Sequence, residues 1–456
     1  MAHSYPIKIA LVGAGARGEL NLATLAKKHP DKMLFTAVAE LDDERRQLFC
    51  EKFGIAKQNA FEDYREFFSR PKLADAVIIA LPCRMHYDST LAALKAGYHV
   101  FLEKPMALTP AESVHLKNES QERKLTLMVS LQSRYNDIYT KVKQMMQAGK
   151  VGRLMNIDCA ENIGYWHFIM SYVRGIHHRQ SDSHSFVMAK GVHDLDLVSW
   201  FAGAPAKRVA SFGELSYFNE ENAPEGAPER CTDGCPVEET CEFSAIKQFV
   251  DPGKPDIPYS LLTGMSPQAV IDVIKNPRFR TLASVIVRDI SKDNVLKNLR
   301  ETNNGRCVYR CDNDVVDHQT VSIEFENGVT ASFALNAFSV LWERTLNLHG
   351  TKGEIRSADF SGRLELRTFN PGKVYKERVR YHGIIHGGGD ERILLKFAEH
   401  IKNENPEESL VGVHNILESH MLCFAAEEAR VRGAVIDMAD FYKKAEEEAA
   451  KLQASG

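Results

Sequence analysis

The feature that most constrains this chain is the segment IKIALVGAGARG at residues 7–18, a short apolar run followed by Gly13, Gly15 and Gly18 opening a helix near Arg17. An apolar run that ends in glycines and starts a helix is a strand-turn-helix unit, and each glycine answers a separate need. Gly13 allows the tight turn, Gly15 lets the backbone approach a pyrophosphate, and Gly18 lets helix and strand pack closely. The helix N-terminus, with Ala16 and Arg17 at its start, presents unpaired N–H groups and its dipole to phosphate oxygens. A second apolar run at 34–39 ends in Glu40, about 20 residues on, where an acid that binds ribose hydroxyls belongs. A carboxylate there repels a 2′-phosphate, so NAD is expected in preference to NADP. Arg45 and Arg46 nearby keep NADP open.

Length and charge bound the rest. With 456 residues the chain exceeds the size at which one core stops growing, so two domains are expected. A net charge of −4 with both signs well mixed gives no electrostatic case for nucleic acid or an anionic membrane. No apolar run approaches the ~20 residues of a membrane span, and no secretory signal is visible at the N-terminus. The expectation is a cytoplasmic protein whose nine cysteines are thiols or metal ligands before they are disulfides.

Strand and helix signals alternate to about residue 131, which predicts a doubly wound parallel sheet, an NAD-binding domain over 1–131. Ligands of such sheets lie beyond the carboxyl ends of the strands. Leu81, Pro82, His86, Glu103, Lys104 and Gln132 all fall at such ends and are expected to line the cofactor site. Beyond it, residues 132–456 read as a substrate-binding α+β domain on a largely antiparallel open sheet. The runs 319–326 and 329–337 around Asn327-Gly328 form its strongest hairpin signal. One face of that sheet would pack on helices and the other on a second subunit, giving a homodimer or homotetramer. The stretch 219–312 is an atypical cysteine-containing insertion.

The glycine fingerprint, Glu103-Lys104-Pro105 and the segment Gly191-Val192-His193-Asp194-Leu195-Asp196 resemble the glucose-fructose oxidoreductase/inositol dehydrogenase (Gfo/Idh/MocA) family over most of the chain outside the insertion. The resemblance implies a nicotinamide-dependent oxidoreductase of sugars or cyclitols, with Lys104 beside the reacting hydroxyl and His193 across the pocket as an acid/base group. Those residue types suit the chemistry. A base must take the O–H proton as hydride leaves carbon, and histidine titrates near neutrality while a desolvated lysine can be brought there. The family pattern carries an aspartate four residues before the histidine, and here that position is Ala189. A simple His-Asp relay is therefore in doubt, and Lys190 or Asp194 is expected to take over part of the role.

A second constellation, Tyr165-Trp166-His167, Arg174, His177-His178-Arg179 and His184, has the rings and hydrogen-bonding groups a sugar site needs. Tyr165, His167, Arg174, His178 and Asp194 are the substrate-binding candidates, and the arginines and histidines could instead bind an anionic substituent. In the insertion, Cys231, Cys235 and Cys241, followed by Cys307 and Cys311, come near zinc spacing and make a structural zinc a candidate. The functional expectation is hydride transfer from a ring hydroxyl of a sugar, glycoside or cyclitol, with Lys104, His193 and Lys190 as catalytic candidates. The alternatives are a glycoside hydrolase that uses NAD redox-neutrally and a non-catalytic sugar-sensing regulator.

Overall fold

In the computed structural model, residues 6–181, 183–250, 282–287, 289–340, 342–380, 386–403 and 406–455 are described. Six strands, β1 (Ile7–Val12), β2 (Met33–Ala39), β3 (Ala60–Phe61), β4 (Ala76–Ile79), β5 (His99–Leu102) and β6 (Leu127–Val129), form the first sheet. Their order is β3-β2-β1-β4-β5-β6 and every neighbouring pair is parallel. Both faces are covered, so the central strand β4 reads as an unbroken apolar run with all four residues buried, and β1 departs from this only at Lys8. The strand order reverses between β1 and β4, and the crevice at that switch point receives the carboxyl ends of both.

The second sheet has nine strands: β7 (Leu154–Gly164), β8 (Ala206–Glu214), β9 (His318–Phe325), β10 (Thr330–Ser339), β11 (Glu343–Gly350), β12 (Gly353–Ala358), β13 (Arg363–Thr368), β14 (Val374–Arg378) and β15 (Ile436–Asp437). They lie in the order β14-β13-β12-β11-β7-β10-β9-β8-β15, antiparallel except for β7 and β10. Inward side chains such as Ile157, Val321, Phe333 and Leu348 join a core with the helices Val192–Ala202 and Pro406–Arg432. Outward ones alternate with them: Asp158, Thr320, Ser322, Thr330 and Ser332 are exposed. The outer face is thus largely polar at its centre.

The expected hairpin forms, with Gly328 at φ 82° and Ala331 opposite Ile323. Strand β8 stops at Glu214, and just beyond it the Asp317 carboxylate accepts from the Tyr217 N–H at 2.8 Å. The charged C-terminal helix has a buried face. In Met438–Ser455 the residues Met438, Phe441, Ala445 and Ala449 are buried at helical spacing, and this helix packs on Pro110–Glu122. The helix Gly389–Asn403 likewise returns to the first sheet, burying Ile393, Leu394 and Phe397 with Ile7 and Leu11. Among the described residues no helix is long and apolar enough to cross a membrane.

Candidate active site

The glycine turn meets its three steric requirements separately. Gly13 has φ +92°, and a Cβ there would lie 2.6 Å from Ala80 O; a Cβ at Gly18 would lie 2.0 Å from Gly13 O. At Gly15 a Cβ meets nothing within 4 Å, so the chain leaves open space where a ligand needs to approach the backbone. Beyond the turn the backbone winds as a π-helix, Ala16–Ala23. The consequence is testable. Gly18→Ala is expected to destabilise the fold, whereas Gly15→Ala should leave melting unchanged yet weaken NAD binding at least about tenfold, because only the ligand contests that space. Thermal melts and NAD titrations of both variants check this.

Glu40 follows β2 and its carboxylate accepts from Ala14 N at 2.6 Å and Asp42 N at 3.0 Å, which places it against the glycine turn. Arg46 is turned back onto Glu40 O and Asp43, while Arg45 faces the cavity. Gly13, Gly15, Ala16, Arg17, Glu40, Leu81, Pro82, His86, Glu103, Lys104 and Gln132 line one cavity of about 1550 Å³, a size that accommodates a dinucleotide and a second molecule. Of the cofactor residues read from sequence only Gly18 does not line it, since its contact is with Gly13.

Two of these residues are occupied with protein contacts. Arg17 donates to Glu103 Oε1 at 2.6 Å, Ser130 Oγ at 3.1 Å and Asp390 Oδ1 at 2.5 Å, clipping the fingerprint helix to two strand ends and to the helix Gly389–Asn403. His86 is buried with Nδ1 2.6 Å from Pro105 O and Nε2 2.8 Å from Leu81 O, so its ring fixes the backbone on either side of the cavity floor. Burial lowers its pKa despite those two carbonyls. Lys104 lines the cavity, and its Nζ donates to Ala189 O at 2.6 Å. The position where the family pattern has an aspartate side chain thus offers Lys104 a backbone carbonyl instead. Burial lowers the Lys104 pKa, with Cys83 and Glu103 pulling it part of the way back.

His193 and Lys190 also line the cavity, on the short π-turn Val187–Gly191 and the helix that follows it. Lys190 Nζ sits 4.3 Å from the centre of the Trp342 ring, and burial brings its pKa down to about 7 although Glu161 opposes the shift. Asp194 does not reach the substrate space. Its Oδ1 accepts from Arg344 Nε at 3.1 Å, beneath the site, and burial raises its pKa well above the carboxylate range with Glu161 and Asp359 adding to the rise. Arg344 also pairs with Glu161 and Asp359, so one guanidinium serves three carboxylates. Glu161 in turn accepts from Trp342 Nε1 at 2.8 Å.

The upstream constellation divides. His167, His177 and His178 line the cavity, and the His167 ring stacks on Trp342 at 4.6 Å. Burial lowers the His177 pKa to about 4 and that of His167 well below its usual value, with Lys190 and Lys104 contributing to both. Tyr165 faces Phe243 of the insertion and does not line the cavity. Arg174 is buried away from it, donating to Arg306 O at 2.7 Å, Gln248 Oε1 at 3.1 Å and Phe243 O at 2.9 Å. Five donors in a fixed fork suit it to bind the insertion's backbone, not a substrate. The insertion also contributes Leu282 and Val285 to the cavity wall.

Cys231, Cys235, Cys241 and Cys307 line a small recess beside Arg174, whose Nη2 is 3.6 Å from Cys231 Sγ. Among the described residues, however, no group of three or more His, Cys, Asp or Glu side chains is arranged to hold a metal ion, so the zinc expected from spacing finds no site there. Burial raises the pKa of both the Cys241 and Cys307 thiols, Cys307 being buried and Cys241 half-buried.

A parallel sheet with a glycine turn at its switch point and a lysine at a neighbouring strand end defines a nicotinamide-type oxidoreductase architecture. The chain belongs to the Gfo/Idh/MocA oxidoreductase family: residues 7–131 match its NAD-binding Rossmann fold and residues 143–410 its C-terminal alpha/beta domain. It is 23% identical over 381 residues to the putative oxidoreductase YteT of Bacillus subtilis, covering 79% of this chain and 80% of that protein. It is also 23% identical to the inositol 2-dehydrogenase/D-chiro-inositol 3-dehydrogenase of Lactiplantibacillus plantarum, over 49% of this chain and 60% of that protein. The fold is shared with scyllo-inositol dehydrogenase from Lactobacillus casei, solved with NAD(H) and scyllo-inositol, at a TM-score of 0.61 and 17% identity over 95% of this chain and 99% of that one.

Proposed function

We propose that this chain is an NAD-dependent oxidoreductase that transfers hydride from a ring carbon bearing a hydroxyl, in a sugar, glycoside or cyclitol. The observation that carries the reading is that Lys104 and His193 open onto the same cavity as Gly15 and Glu40, so proton-handling groups and a dinucleotide cradle share one space. The inositol dehydrogenases among its relatives support the substrate class. The cradle fits the dinucleotide: Gly15 leaves the approach open, and the Glu40 carboxylate at the turn favours an unphosphorylated ribose. When bound, the nicotinamide accepts or returns the hydride.

The chain's own residues then manage the proton. Lys104, its pKa lowered by burial, takes the hydroxyl proton or hydrogen-bonds the developing alkoxide, and His193 faces the same space as its acid/base partner. His86 and the Glu103–Arg17 pair hold the strand end that carries Lys104 in place.

A second reading, redox-neutral glycoside hydrolysis, is favoured by one observation: His167 lines the cavity beside Lys104 and His193, with burial lowering its pKa, and elimination next to a transiently oxidised carbon needs one more base. Purified protein with NAD, screened against free sugars, cyclitols and aryl or alkyl glycosides, separates the two. NADH accumulation without aglycone release supports the dehydrogenase, whereas NAD-requiring release without accumulation supports the hydrolase. Absence of both across the panel overturns either reading and leaves a binding protein.

A further inference from the structure

Resting on the oxidoreductase reading, we propose that the substrate carries a carboxylate on its ring or ring substituent, and that Lys190, with His167 and His177, receives it. The charge around the Lys104 end of the cavity is one-sided. Lys104 and Lys190 both line it, together with His167, His177 and His193. The carboxylates packed around this end are already committed. Glu161 on β7 and Asp194 on the helix Val192–Ala202 lie behind the wall and pair with Arg344 of β11. Asp359, after β12, faces the cavity but pairs with the same guanidinium, and Glu103 pairs with Arg17. Among the described residues no carboxylate lies within ion-pair distance of either lysine.

Lys190 answers this with a ring. Its ammonium rests 4.3 Å over Trp342, a cation–π contact that leaves its hydrogen-bond donors unused by any carboxylate among the described residues. Burial brings Lys190 down to about 7 against the pull of Glu161, with Lys104 and Arg344 adding to the fall, and brings His177 to about 4 with Lys104 and Lys190 adding to it. Groups that shed protons in this way make a site that gains from an anion. A sugar hydroxyl can accept a hydrogen bond from Lys190 but cannot balance the charge; a carboxylate does both. The His167 ring stacks on Trp342 at 4.6 Å, so His167 and Lys190 are gathered around one indole in the cavity wall.

The test uses the NAD-loaded protein and matched pairs of methyl glycosides and the corresponding methyl glycosiduronates in gluco, galacto and manno series, followed by calorimetric binding and by NADH formation. In the best pair the uronate member should bind at least about tenfold more tightly, with the preference falling as salt rises. Affinity should also fall from pH 6 to pH 8.5: with Lys190 near 7 in the free protein, an anion binds the protonated amine, and above that pH a proton must be taken up first. Lys190→Met should reduce the preference to within about twofold with NAD affinity unchanged, while Lys190→Arg restores most of it. Neutral members binding as well as uronates in every series, or a preference untouched by Lys190→Met, overturns the assignment. Oxidation of neutral members without any uronate preference sinks this inference and leaves the oxidoreductase reading standing. Lys190-dependent uronate binding without hydride transfer does the reverse.

Discussion

Lys104→Ala is expected to cut turnover by about a hundredfold to ten-thousandfold, the range supplied by one positioned proton-transfer group, while NAD affinity stays within about threefold. The expectation follows from where the amine stands. Lys104 sits on the floor of the cavity at the end of β5, and its Nζ donates to Ala189 O of the second domain, not to the glycine turn or to Glu40. Removing it therefore takes a group away from the reacting end and leaves Gly13, Gly15, Ala14 and Glu40 as they were. Trp166 and Trp342 line the same cavity, so quenching of tryptophan fluorescence gives the NAD titration independently of turnover. Equal losses in affinity and turnover would move Lys104 out of the chemical step and into cofactor binding. His193→Asn serves as the companion, since it removes the acid/base group and keeps hydrogen-bonding capacity; the parent reading requires a comparable rate loss from it.

How much of this is legible in the sequence depends on whether the signal is local. The glycine turn, Glu40 and the strand ends at Leu81, Glu103 and Gln132 announce themselves through spacing, because each sits at a fixed offset from an apolar run and the sheet then brings those offsets to one edge. Arg174 and Asp194 depart from the sequence expectation because their partners are remote in the chain: Arg174 bonds residues 69 to 132 positions away, and Asp194 bonds one 150 positions away. A cluster of polar residues near an aromatic tripeptide cannot reveal that one member points into a core. Trp342 and Arg344 escape sequence reasoning on the same ground, yet a signal exists. On β7 the inward positions read Ile157, Cys159, Glu161, Ile163, and on β11 they read Arg344, Leu346, Leu348, so each strand places one charge on an otherwise apolar face. Two such breaks of opposite sign mark a buried pair, and the structure sets Glu161 directly opposite Arg344. The cysteine spacing is legible only in part: Cys231, Cys235, Cys241 and Cys307 line one recess, but among the described residues no three ligand-type side chains are arranged to hold a metal ion.

Arg344→Met should lower stability by about 3–5 kcal/mol, the cost of leaving buried carboxylates without their cation, and should impair substrate handling as well. Glu161, Asp194 and Asp359 are all buried around this guanidinium. Two of these carboxyls already favour their protons in the wild type: burial raises Asp359 from 3.8 to about 6, against the pull of Arg344, and raises Asp194 as well. A carboxyl whose folded pKa is raised contributes most below its unfolded pKa, and that contribution is lost as pH climbs to the folded value. The Asp359 share, about 3 kcal/mol, therefore disappears between about pH 4 and pH 6. Without Arg344 the carboxyls hold their protons to still higher pH, so the deficit of the methionine variant should be greatest above pH 7 and shrink towards pH 5. Thermal melts of wild type, Arg344→Met and Arg344→Lys across that range measure it, with the lysine variant keeping the charge but losing the fork. A deficit independent of pH would show that the arginine acts by packing and not by charge. The same substitution reaches the site through Glu161, which holds the Trp342 indole at 2.8 Å, and Trp342 is the ring on which Lys190 rests. Loss of Arg344 should thus weaken uronate binding more than NAD binding, because the disturbance enters the cavity at Lys190 and not at the glycine turn.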